Sequence, residues 1–128
     1  MIFPNLLFYG DWGLFALRLA VAAVFLVHGL SKLKKYKEMG TSMGVPGWFI
    51  LGLGLAECLS ALGLILGLYV QLAAAALIAV MSGAIYFKVA KWGMKFTAPS
   101  AMGWEFDFIL LASNLALLLT GGGNIGLL

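Results

Sequence analysis

Charge is scarce in this chain. Eight Lys and Arg and five Asp and Glu make up 10% of its 128 residues, where a soluble domain carries about a quarter. That deficit, together with 63% hydrophobic residues and a mean hydropathy of +1.06, excludes a soluble enzyme and points to an integral membrane protein. The net charge of +3 sits beside apolar runs, so it reads as a topology signal and not as a nucleic-acid footprint. Cysteine is almost absent. Cys58 alone excludes an internal disulfide or a CxxC redox pair and is read as a small apolar filler. A single histidine with scattered carboxylates does not make a tetrahedral metal set. No Ser/His/Asp hydrolase arrangement is present, and Gly52-Leu-Gly54 and Gly121-Gly-Gly belong to an apolar helix and a helix end, not to a nucleotide loop. No basic stretch precedes the first apolar run, which is too long for a signal-peptide core, so no cleavable signal is expected.

What is abundant is apolar sequence. Four runs, about 12–30, 46–68, 70–87 and 104–120, approach or exceed the ~20 residues that cross a hydrocarbon core. The expected fold is all-α: a polytopic four-helix transmembrane bundle forming one domain over 1–128. Residues 1–11 form an apolar lead-in too short to span, with Asp11 as N-cap of the first helix. Pro46 suits the first turn of the second. Tyr69-Val70-Gln71 leaves room only for a tight turn, while Pro99 and Gly103 break the chain before the fourth span. Four crossings put both termini on one side and both long connectors on the other. The connectors hold all seven lysines, so the positive-inside rule makes them cytoplasmic and the termini outer. Trp48, Trp92 and Trp104 then mark the inner boundary, and Tyr9, Trp12 and Tyr69 the outer one. Gly52-Ala56-Ser60, Gly63-Gly67 and Ala75-Ala79-Gly83 are small-residue stripes that let helices approach closely in lipid.

Polar residues inside the spans are the candidates for function. Glu57 lies near the centre of the second span, about 16 Å from its outer end, and Arg18 about 9 Å into the first. The two side chains are expected to pair, either as a structural lock or as the floor of a binding cavity or proton path. His28 lies about 80° round the helix from Arg18, at the depth of Asp107, so His28, Asp107 and Lys32 are expected to form an inner cluster. Such a cluster could relay protons or bond a polar headgroup such as a quinone carbonyl; equally, His28 could simply be a satisfied histidine. Asp107, Leu111, Asn114 and Leu118 share one stripe of the last span, and Glu105 points elsewhere.

The run from Arg18 through Val27-His28-Gly29 to Ser31-Lys32 resembles the opening helix of the DoxX family. Gly54-Leu-Ala-Glu57 with Gly63 and Gly67 is similar to its second helix, and Trp104-Glu105-Phe106-Asp107 with Gly121 to its last. The chain departs from the family pattern at Gln71, where an arginine is frequent, and at Gly123-Asn-Ile-Gly-Leu-Leu128, in place of a serine-leucine-aspartate tail. The resemblance implies a four-helix membrane bundle in a prokaryotic cell (inner) membrane. Some such proteins are subunits of a thiosulfate:quinone oxidoreductase, some are associated with redox or thiol stress, and a distant eukaryotic branch assists receptor assembly. Two functions follow as expectations. The chain is a redox-associated subunit offering a quinone- or lipid-facing pocket at Arg18, His28, Lys32, Glu57, Asp107 and Asn114, or a non-catalytic accessory or assembly subunit of a larger complex. A third, a small carrier, needs oligomerisation. No cofactor of its own is evident, although quinone is compatible. The expected partners are the lipid bilayer and a larger membrane complex or a second copy, without nucleic acid.

Overall fold

Lipid offers no water to bond the main chain, so an apolar segment crossing it must satisfy its own N–H and C=O groups, and a helix does so locally. The computed structural model describes residues 2–97 and 103–127. It contains α1 (Gly10–Lys34), α2 (Tyr36–Met43), α3 (Gly47–Leu66), α4 (Val70–Tyr86) and α5 (Glu105–Thr120). A short 3-10 turn, Pro4–Tyr9, leads into α1, and a wider π-helical turn, Phe87–Lys91, continues α4. Three helical stretches, Pro4–Lys34, Gly47–Leu66 and Val70–Lys91, are long and apolar enough to cross a membrane. The protein is therefore an all-α integral membrane protein. The 16 residues of α5 rise only about 24 Å.

Several boundaries differ from those expected of the sequence. α1 runs on past Leu30 because Ser31-Lys32-Leu33-Lys34 holds no proline or glycine to stop it, and α2 forms inside what reads as a polar connector. Asp11 is not the cap of α1. The 3-10 turn already winds the chain, so Tyr9 takes the cap position without a side-chain bond. Pro46 stands just before α3 with extended backbone (φ −61°, ψ 145°), as its cap. The turn from α3 to α4 is as tight as expected, built on left-handed Gly67 (φ 70°) and Tyr69 (φ 49°). Pro99 lies outside the described residues.

α1 and α3 run antiparallel with their backbones in contact. A Cβ on Gly54 would lie 2.9 Å from the Gly29 carbonyl oxygen, and one on Gly29 would lie 2.7 Å from Cys58 Sγ. This glycine pair, and not the Gly52 stripe, makes the seam; a Cβ on Gly52 or Gly83 would meet nothing within 4 Å. The Ala75-Ala79-Gly83 stripe faces outward, with all three residues exposed. α4 and α5 are also antiparallel. Gln71 Nε2 donates to the Leu118 carbonyl at one end (2.9 Å), and Lys88 meets Asp107 at the other. Phe25, Leu64, Leu77 and Leu117, one from each long helix, are buried in the shared core.

The segment after α5 folds back over the end where α1 begins. Gly121, Gly122 and Gly123 carry φ of 74°, 77° and 83°, a left-handed run that side chains rarely adopt. Asn124 then donates through its backbone N and Nδ2 to Asp11 Oδ1 and Oδ2 (3.2 and 3.3 Å), and Leu127 N donates to the Leu66 carbonyl (3.0 Å). A Cβ on Gly67 would lie 2.6 Å from both Arg18 Nη1 and Gly126 Cα. Gly67→Ala is therefore expected to loosen this closure and cost about 1–3 kcal/mol. A lower melting temperature in detergent and faster proteolysis after Thr120, both absent in Gly83→Ala, are the expected results; a wild-type pattern would show that the segment does not close the bundle.

Candidate functional site

His28 and Lys32 stand one turn apart on α1 and so share a face. From there Lys32 Nζ reaches α3 and donates to both oxygens of Glu57, at 2.7 and 2.9 Å. Glu57 is 0% exposed, so this ammonium is what makes its charge tolerable at that depth. The expected Arg18–Glu57 pair does not exist. Contact between Gly29 and Gly54 fixes the register of α1 on α3 and sets Arg18 beside Gly67, ten residues and about 15 Å along the axis from Glu57. Arg18 instead donates through Nη2 to the Ile125 carbonyl, and its guanidinium carbon stands 5.1 Å over the Phe15 ring. It is 1% exposed, and its Nε finds no acceptor among the described residues. Arg18 belongs to the closure at the opposite end, not to the site.

The expected cluster of His28, Asp107 and Lys32 is also divided. Asp107, in the first turn of α5, pairs with Lys88, whose Nζ lies 2.6 Å from Oδ2. Lys88 reads from the sequence as a connector residue. The π-helical turn keeps it helical, with Trp92 N bonding the Phe87 carbonyl at 3.0 Å, and aims it at α5. The missed signal was a carboxylate in one span facing a lysine at the end of its neighbour. His28 lies beside Phe106, ring centroids 5.9 Å apart, and remains exposed.

Both ion pairs and His28 nevertheless meet at one place. Lys32, Glu57, Lys88, Asp107 and His28 line a cavity of about 340 Å³, whose other walls include Phe25, Phe49, Leu53, Val80, Met81, Phe106 and Leu110. Met43 of α2 and Trp92 line it as well; the sequence marks Trp92 only as a boundary residue and gives no sign of Met43. Asn114 shares its helix face with Asp107 but lies outside the cavity. Its Nδ2 donates to the Leu110 carbonyl (2.9 Å), while its buried Oδ1 has no partner among the described residues. Cys58 packs on Gly29, as an apolar filler would. Among the described residues, no three His, Cys, Asp or Glu side chains gather as a metal site.

The chemistry of the cavity follows from its inventory. Each carboxylate has a lysine from the adjacent helix, and an ammonium carries three donors. Lys32 uses two on Glu57, which leaves an N–H there, more on Lys88, and the ring nitrogens of His28. The site can thus bond acceptor oxygens in an otherwise apolar hollow.

Among family models, that of DoxX matches residues 13–90. The chain belongs to the DoxX family. The DoxX match covers α1 to α4, and so Arg18, His28, Lys32, Glu57 and Lys88, while Asp107 falls beyond it. Neither the curated proteins nor the solved structures provide a significant match to this DoxX chain.

Proposed function

We propose that this DoxX protein is a redox-associated membrane subunit whose cavity receives the head of a quinone or a similar oxygen-bearing lipid. The observation that carries the reading is the convergence of two lysine–carboxylate pairs and His28 on one apolar hollow. Its volume of about 340 Å³ falls within the ~300–1,000 Å³ typical of small-molecule sites. Lysine and histidine N–H groups suit ring carbonyls, and the phenylalanine and leucine walls suit the ring and the start of a tail. Electrons come, in this reading, from a partner subunit of redox class. α5 makes a fourth crossing, and the cavity opens toward the lysine-bearing connectors on the cytoplasmic side of a prokaryotic inner membrane. The Asp11–Asn124 contact supports a common side for both ends of the described chain, and the lysine bias makes that side the outer one in this reading. An accessory role in a larger complex is favoured by a separate feature. The Ala75-Ala79-Gly83 stripe is exposed, with Ala79 and Gly83 also lining the cavity, and its small residues suit a helix of a partner or a second copy.

The test is quenching of tryptophan fluorescence by a short-chain quinone in the purified, detergent-solubilised protein. Saturable quenching is expected, largely removed in Trp92→Phe, with affinity about five- to tenfold weaker in His28→Ala, the worth of one hydrogen bond. Quenching that never saturates, or that is equal in both variants, would mean simple partition into the micelle and favour the accessory role.

A further inference from the structure

The two ion pairs leave an imbalance at the connector end. Of the lysines there, Lys32 and Lys88 are neutralised by Glu57 and Asp107. Lys34, Lys35, Lys37, Lys91 and Lys95 are all exposed, and none forms an ion pair among the described residues. The only other carboxylates at this end are Glu38 and Glu105, both exposed, so a surplus of three positive charges remains there. At the opposite end Arg18 is buried in its glycine cradle and contributes nothing to the surface.

Two features place this surplus at the level of lipid headgroups. Trp48, 73% exposed, and Trp92, 44% exposed, sit at the same ends of α3 and α4, where indole rings favour the membrane–water boundary. Lys37 and Lys91 lie over aromatic rings of their own helices, Tyr36 and Phe87, at 5.9 and 5.0 Å. Their ammonium groups are thus held beside aromatic rings, as amphipathic side chains are where apolar and polar surroundings meet. The exposed lysines also follow closely in sequence on Lys32 and Lys88, the two that line the cavity.

We infer that the connector end is a binding surface for anionic phospholipid headgroups, with Lys34, Lys35 and Lys37 at the α1–α2 corner and Lys91 and Lys95 after α4 as its cations. Juxtamembrane lysines attract acidic lipid additively and within a Debye length of the surface. A free acidic protein segment would meet the same charge, but the flanking indoles and the membrane depth favour lipid. The surface is independent of the quinone reading, since none of its five lysines lines the cavity.

The experiment is native mass spectrometry of the purified full chain titrated with phosphatidylglycerol or phosphatidylcholine of the same acyl chains, at low and high salt. Preferential retention of phosphatidylglycerol is expected, lost at high salt and weakened at least about tenfold when the five lysines are changed together to glutamine. Those lysines are exposed and unpaired, so the variant should melt like the wild type, and His28→Ala should leave the preference intact. Equal retention of the two lipids, or an undiminished preference in the five-lysine variant, would overturn the proposal. So would binding of polyglutamate peptide in preference to phosphatidylglycerol. Loss of quinone quenching with lipid preference retained would count against the cavity reading alone.

Discussion

Lys32→Met should lower the stability of the protein by about 3–5 kcal/mol, because it leaves the fully enclosed Glu57 without a counter-charge. The expected readouts are a large fall in yield from membranes and in melting temperature in detergent. Lys32 donates to both oxygens of Glu57, and the Glu57 side chain is 0% exposed against 20% for Lys32. The two single variants should therefore differ. Glu57→Leu strands an ammonium that keeps some contact with solvent and should be milder than Lys32→Met. The double variant Lys32→Met/Glu57→Leu should recover most of the loss, since apolar replacement of a whole buried ion pair is often neutral or better. If Lys32→Met melts like the wild type, Glu57 has some other counter-charge, and Lys32 does not hold the carboxylate in the cavity wall.

Gly54→Ala is the second large effect expected. Its new methyl would sit 2.9 Å from the Gly29 carbonyl oxygen and 3.0 Å from Lys32 Cβ, both parts of a helix that can yield only by moving as a body. Overpacking of this kind costs about 1–3 kcal/mol. It should also push Lys32 away from Glu57, so under the proposed function the affinity for quinone should fall with stability. Gly52→Ala, two positions earlier on the same helix, meets nothing within 4 Å. It should be neutral, or stabilising by at most about 1 kcal/mol through the higher helix propensity of alanine. Similar melting temperatures for the two variants would refute a backbone contact at Gly29 and Gly54.

The contrast between these two glycines shows why part of the site was hidden in the sequence. The apolar runs announce the helices, because lipid leaves a chain no other way to bond its backbone. Isolated charges in those runs announce that Arg18, Glu57 and Asp107 matter, because each is costly unless compensated. Which residue compensates which is set by helix register, and register is set by where two helices touch. Gly52-Ala56-Ser60 and Gly29 beside His28 look equally suitable for contact on paper. Only the packed helices select Gly29 on Gly54, and that choice hands Glu57 to Lys32 and sends Arg18 to Ile125. Lys88 was hidden for another reason. A wider turn at Phe87–Lys91 keeps the chain helical where the composition turns polar. The resemblance in Arg18, His28, Lys32 and Glu57 identified the family correctly, while the pairing expected among those same residues did not hold.

The closure around Arg18 also bears on the order in which the protein can be made. Arg18 enters the membrane in the first helix, and the carbonyl that receives it, Ile125, is synthesised 107 positions later. Until then this guanidinium must hold itself near headgroups or water. It can withdraw to its final depth only after Gly121–Gly123 have turned the chain back. This contact of α1 thus forms only after α5 has been synthesised, which makes sealing of this end a late event in the assembly of the bundle.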